Sequence, residues 1–304
     1  MVTTRDDTRA GIGFAFAAYF VWGMVTVYWK TVDQFNPFEL IAWRITTSFA
    51  VLAVVLIAMR KVRLVVSALT KPRLAVRITA ASALLTINWS MFVWAVVNEH
   101  VVETALGYFI SPILTTALGV VRLSEKLSPR QKAAMSFAAL GLIILTFAYG
   151  RVPWIALAIA GSWSMYGYLK KNVPLDSLVS LTAEVTVLVV PAVIFLVTVW
   201  QRDFSVATNA SPSEWFLVSL TGSVTAVPLL LFGAASSRTP LSVLGPMQYI
   251  VPTIYFVLGW AVFDEEVTTT KFIGFSMIWI CLILVVLELV GTRRSTERLA
   301  TEAL

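Results

Sequence analysis

Residues 111–119 read SPILTTALG and residues 251–259 read VPTIYFVLG, two stretches 140 residues apart that share a proline in second place and end on Leu-Gly. At the same offset Tyr28 and Lys30 meet Tyr168 and Lys170, Phe92 and Ala95 meet Phe232 and Ala235, and Glu125 meets Glu265. Leu106-Gly107 meets Leu244-Gly245 after a two-residue slip. Single matches between apolar segments are common, but a nearly constant offset held across five of them marks a duplicated unit. Composition says what kind of unit it is. Hydrophobic residues make up 58% of the 304 and charged residues only 13%, where soluble domains carry about 25% charged residues. The apolar surplus is gathered in runs of about 20 residues, long enough at about 1.5 Å per residue to cross a hydrocarbon core of about 30 Å.

Ten such runs are read, at approximately 11–29, 38–59, 74–97, 101–121, 131–149, 153–169, 178–200, 214–235, 240–263 and 272–290. The sixth is the least distinct, being short and carrying Ser162, Ser164 and Gly167. Charge tests the count independently. With a cytoplasmic N-terminus, 18 of the 23 Lys and Arg residues fall on the cytoplasmic side, among them Arg60, Lys61, Arg63, Arg130, Lys132, Lys170 and Lys171. Only Lys30, Arg151, Arg202 and Lys271 fall on the other side, with Glu99 and the cluster Asp264, Glu265 and Glu266, and Arg44 is left inside a span. This is the positive-inside pattern, and adding or removing one span mid-chain would mix the two counts. Both termini are then cytoplasmic. The first run follows Arg5 and Arg9 as a signal peptide would, but it is too long and lacks a small-x-small cleavage site, so it is read as a retained helix.

Five spans per half is an odd number, so the second half enters the membrane from the opposite face. The expected fold is therefore all-α integral membrane, with ten transmembrane helices as two inverted five-helix repeats. Residues 1–10 form a cytoplasmic tail, 11–149 the first repeat, 150–291 the second and 292–304 a second tail. Inverted repeats are characteristic of secondary transporters, with the site between the halves; some channels share them.

Several function classes fall away. The single cysteine, Cys281, permits no internal disulfide and is read as a small buried residue; the single histidine, His100, permits no two-histidine metal motif. No metal ligands, no cofactor and no catalytic residues are assigned. No phosphate loop of the G-x-x-x-x-G-K-[ST] type occurs, so no ATP is expected, and neither G-x-S-x-G with a histidine nor paired intramembrane aspartates support an enzyme. The formal charge of +6 is accounted for by the loops, so it calls for no nucleic acid. The expected partners are a small-molecule substrate and the lipid bilayer; oligomeric state is not legible.

Arg44 lies about six residues into the second span, roughly 9 Å deep, where a charge costs about 2–3 kcal/mol unless it finds water or a partner. The repeat offset pairs it with Glu184, so pseudo-symmetric positions carry opposite charges. Arg44 is a candidate for an anionic group of the substrate or for a gating carboxylate, and Glu184 for a proton or cation site or an inner gate; the alternative is that both snorkel to headgroups. Glu103, Gly107 and Ser111 share one helix face, with an interfacial carboxylate as the alternative for Glu103. Trp22 recurs with Tyr19, Gly23, Thr26 and Lys30 at helical spacing. Asn88 either binds substrate or ties two helices together. Tyr108, Gln248 and Tyr249 complete the pathway candidates, and Pro112, Pro228 and Pro252 are candidate helix breaks.

These residues also carry a resemblance. AYFVWG (18–23), Arg44, NWSMFVWAV (88–96), ETALGYFISP (103–112), VPLLLFGAA (227–235) and LGPMQYIVPT (244–253) resemble the RarD group of the EamA proteins, in the drug/metabolite transporter superfamily. The resemblance spans about residues 10–292. It implies a ten-span permease of the bacterial inner membrane with a central cavity, under a family name tied to chloramphenicol sensitivity. The Gly-Glu turn expected after the fourth span is Ser124-Glu125 here, and Asp264-Glu265 after the ninth. The expected function is secondary-active transport of a small organic metabolite or drug, with proton or ion exchange at Glu103 and Glu184 as the route to coupling. An uncoupled facilitator or channel, or a non-catalytic structural membrane protein, is the alternative.

Overall fold

The computed structural model describes residues 5–97, 101–149, 152–203, 205–262 and parts of 269–287. Glu99, His100, the cluster 264–266 and the tail 292–304 lie outside the described residues, and the tenth expected span is described only in pieces, all helical. Twelve helices precede it: α1 (Arg5–Trp29), α2 (Pro37–Ala58), α3 (Val62–Thr70), α4 (Pro72–Val97), α5 (Val101–Leu123), α6 (Pro129–Tyr149), α7 (Trp154–Asn172), α8 (Ser177–Val199), α9 (Val206–Asn209), α10 (Pro212–Arg238), α11 (Leu241–Met247) and α12 (Ile250–Val262). Among the described residues every regular element is helical.

Local chemistry sets the helix starts. Asn36 caps α2, accepting from the Phe38 and Glu39 amides at 2.9 and 3.3 Å, and Asp176 caps α8, accepting from Leu178 at 2.9 Å. Ser211 and Glu214 close a reciprocal capping box on α10, with Pro212 in its first turn. Three pairs of helices begin 140 residues apart: α2 and α8 at Pro37 and Ser177, α4 and α10 at Pro72 and Pro212, and α5 and α11 at Val101 and Leu241.

Among the described residues, seven stretches are long and apolar enough to cross a membrane: Asp7–Trp29, Pro37–Ala58, Pro72–Ala95, Leu106–Leu123, Ser177–Val199, Pro212–Arg238 and Leu241–Val262. They occupy the places of expected spans one to four and seven to nine. Helix α6 stands where the fifth is expected, and α7 stands in the place of the sixth without reaching that apolarity. For α7 the cause is its surroundings: Ser162, Ser164, Tyr166, Gly167 and Lys170 are all buried against protein, so the polar residues of this helix do not meet lipid. Two short helices were not anticipated. One is α3, which packs Val65 and Ala68 inward beneath α4 and α8, and the other is the single turn α9.

In the bundle α1 packs against α10 and α12, α7 against α4 and α5, α2 against α8 and α10, and α5 crosses α11. Backbones approach closely where glycine permits. A Cβ at Gly222 of α10 would collide with the Thr47–Ser48 peptide of α2, and one at Gly245 of α11 with Thr116 and the Pro112 carbonyl of α5. Ser48 Oγ donates to the Gly222 carbonyl at 3.1 Å across the first of these contacts. Glu125 caps α11, its carboxylate accepting from the Leu241 and Ser242 amides at 3.0 and 2.8 Å, and Ser124 before it holds φ 54°, the left-handed conformation in which glycine is expected.

Of the three candidate helix breaks, α5 and α10 run through Pro112 and Pro228 without interruption. The ninth expected span does break, between α11 and α12 at Gln248 and Tyr249. Pro252 has no N–H for the Gln248 carbonyl four residues back and its ring crowds that carbonyl, although Pro112 at the matching position leaves α5 continuous.

Candidate functional site

A cavity of about 340 Å³ lies between the two halves of the chain. Helix α1 contributes Tyr19, Trp22, Val25 and Trp29; α2 Arg44; α4 Asn88, Trp89 and Phe92; α5 Tyr108 and Ser111; α7 Ile159 and Trp163; α10 Val224, Thr225 and Leu229; and the α11–α12 break and α12 Gln248 and Val251. Four pairs of these, Tyr19 with Ile159, Trp89 with Leu229, Tyr108 with Gln248, and Ser111 with Val251, are related by the 140-residue offset.

Arg44 is the charged residue among the described lining. Its guanidinium lies 3.8 Å from the ring centre of Trp89 and 5.7 Å from that of Trp29. Its Nε is buried with no hydrogen-bond partner. The charge is thus held by aromatic faces, a contact worth about 2 kcal/mol when desolvated. Asn88 donates its amide to the Ile159 carbonyl at 2.9 Å and to Ser162 Oγ at 3.2 Å, so it both ties α4 to α7 and lines the cavity. Gln248 donates to Thr115 Oγ1 at 2.9 Å, Thr115 lies 3.1 Å from Ser164 Oγ, and Ser164 donates to the Ser111 carbonyl at 3.1 Å. This relay joins α5, α7 and the α11–α12 break beside the cavity.

An aromatic cluster bounds the cavity toward the far ends of α7 and α10. Trp22 meets Trp163 edge to face at 5.2 Å, Trp163 meets Phe232 at 4.9 Å, and Phe232 stacks on Tyr166 at 6.1 Å. Beyond it lies a buried ion pair. Lys170 Nζ donates to Glu184 Oε1 at 2.8 Å, Ser180 Oγ donates to the same oxygen at 2.8 Å, and Tyr166 donates to Oε2 at 3.1 Å. The two charged side chains are 3% and 1% exposed, so neither snorkels to a headgroup. Lys170, counted with the loop charges on sequence, is instead a bundle residue neutralised by Glu184.

Of the eight pathway candidates, five line the cavity: Trp22, Arg44, Asn88, Tyr108 and Gln248. Glu184 is engaged in the ion pair, and Tyr249 is buried with its hydroxyl donating to the Phe109 carbonyl at 3.0 Å. The Glu103 side chain lies outside the described residues, as does that of Thr26. Sequence reasoning missed Trp29, Trp163 and Phe92 as lining residues, and it passed over Glu39. That carboxylate is buried at the start of α2, accepting from Ser205 Oγ at 3.0 Å, the Val206 amide at 3.0 Å and Trp43 Nε1 at 3.2 Å. Among the described residues no cluster of His, Cys, Asp or Glu could hold a metal ion.

Residues 9–147 match the EamA-like transporter family. A solved crystal structure 20% identical in sequence superimposes with a TM-score of 0.70 over 92% of this chain and 98% of its own, which shows a shared fold. The Protein RarD of Streptomyces exfoliatus is 36% identical over 98% of this chain and 95% of its own, and that of Escherichia coli K12 is 32% identical over 96% and 99%. An uncharacterized transporter of Bacillus subtilis 168, YojE, is 34% identical over 96% and 98%. The chain belongs to the EamA-like transporter family of the drug/metabolite transporter superfamily. Within it the RarD proteins are its near-full-length relatives, and it is a multi-pass membrane transporter. Its relatives carry transporter names, which speaks against an enzyme.

Proposed function

We propose that the chain is a carrier of ten helices in two inverted five-helix repeats, which moves a small organic molecule by alternating access through the cavity at Arg44, with both termini in the bacterial cytoplasm. The observation that carries this reading is the cavity itself, because residues from both halves line it and four lining pairs obey the repeat offset. The offset also relates helix starts, and it relates the packing of α1 on α10 and α12 to that of α7 on α4 and α5. Such swapped contacts are what exchange when one half takes the conformation of the other. The test is counterflow in proteoliposomes with a pooled bacterial metabolite set and chloramphenicol, comparing wild type with Arg44→Ala. Saturable exchange that the variant loses supports the carrier; flux without saturation or counterflow points to a channel, and no flux of any compound to a structural role.

One observation favours an uncoupled facilitator over proton coupling. Glu184 is held by Lys170, Ser180 and Tyr166, and no carboxylate is among the described side chains that line the cavity. A facilitator shows the same counterflow whether or not a proton gradient is imposed, and accumulation driven by that gradient would remove this second reading.

A further inference from the structure

We infer that the cavity takes an organic anion with a flat aromatic body, its carboxylate held by Arg44 and its ring by the Trp22 and Trp163 faces. This rests on the cavity being the substrate site. The charge balance is one-sided. Arg44 is the charged group of the described lining, and Glu184, which the repeat offset pairs with it, lies beyond the aromatic cluster and is already neutralised by Lys170. A neutral substrate leaves a desolvated cation without a counter-ion, and a cationic one adds repulsion to it. An anion supplies the missing charge.

The geometry narrows the class further. Stacking on Trp89 at 3.8 Å uses the face of the guanidinium and leaves its edge, and the edge is where N–H groups donate in pairs to a carboxylate. Nε, one donor of that edge, has no partner. It is covered in this conformation, so a carboxylate reaches it through a small turn of the guanidinium against Trp89. The remainder of the cavity is apolar and aromatic, with Trp22 and Trp163 perpendicular at 82° and Phe92 beside Tyr108 at 6.3 Å. At about 340 Å³ it has room for a body of one or two rings. An ammonium group on the same molecule finds no carboxylate among the described lining, which sets amino acids below simple acids.

Isothermal titration calorimetry on detergent-purified full-length protein tests this with nine probes: the acetic acid, acetamide and ethylamine derivatives of phenyl, indole and naphthalene rings. The acid of at least one ring is expected to bind about tenfold or more tightly than its amide and amine. In Arg44→Gln that preference should vanish, the acid binding no more tightly than its amide. Trp163→Ala keeps the charge and should weaken acid and amide alike. Should Arg44→Gln fail to fold, the order of acid, amide and amine on wild type decides alone. An amide or amine that binds as tightly as its acid, or no binding of any acid at millimolar concentration, overturns the inference. Because binding in detergent does not require transport, acid-selective binding without counterflow keeps this inference and removes the carrier. Counterflow of a neutral or cationic compound does the reverse.

Discussion

Arg44 and Lys170 are both cations inside a helical bundle, and the chain satisfies them by different means. Lys170 has a carboxylate at 2.8 Å, whereas Arg44 lies against the faces of Trp89 and Trp29. A buried ion pair adds little net stability, but removing one member strands the other charge at a cost of about 3–5 kcal/mol. Lys170→Met is therefore expected to lower the melting temperature in detergent sharply. The double change Lys170→Met with Glu184→Gln should recover most of the loss, since the amide oxygen still accepts from one of the Tyr166 and Ser180 hydroxyls and the amide NH2 can donate to the other. A double variant no more stable than the single would contradict this account. Arg44 was legible in the sequence because a charge in an apolar run stands out. Trp89 and the Lys170 pairing were not, because the former contact depends on the rotation of α2 and α4, and the latter cation sits close enough to a span end to pass for a loop residue.

At the scale of helices, what the sequence concealed follows from one cause: apolarity reports lipid contact, and some helices touch little lipid. Helix α7 carries Ser162, Ser164 and Lys170 because its buried face meets α4, α5 and α10. Helix starts were read to within a few residues, since capping residues and prolines such as Asn36-Pro37 and Ser211-Pro212 are local signals. The contact of α2 with α10 is not local, and it requires that Gly222 carry no Cβ. Gly222→Val is expected to abolish the monodisperse folded protein in size-exclusion chromatography, because the obstacle is backbone and cannot swing aside. Gly161→Ala, where an added Cβ meets nothing within 4 Å, should leave the elution profile and melting temperature unchanged or slightly raised. Loss of folding in the second variant, or its retention in the first, would show that helix packing is not set by these contacts.

For the whole molecule, the cavity between the halves leads to an expectation about access. Cys281 is the chain's single cysteine and is buried, so the wild type offers little background to a thiol reagent. Val224→Cys, nearly isosteric, places a thiol at the cavity wall. In a carrier that alternates, an impermeant methanethiosulfonate should label it from either side of the membrane, with saturating substrate slowing the reaction; labelling from one side only would argue for a fixed vestibule. The helical membrane fold was readable from the apolar runs, whereas the cavity's aromatic lining was hidden among 11 tryptophans. An indole at a membrane interface and an indole facing a cavity look alike in sequence.

Helix α5 is continuous through Pro112, whereas its counterpart is divided at Gln248 and Tyr249 into α11 and α12. Two elements that begin 140 residues apart thus differ in stiffness, one a rod and the other a joint. When such a pair trades roles, the two end states are not mirror images in energy. The unloaded protein will then spend most of its time open to one compartment, and half-saturating concentrations measured from the two sides will differ even with no gradient to drive the cycle. Preference of face would then be written into a single turn of backbone, with net direction left to the solute's own gradient.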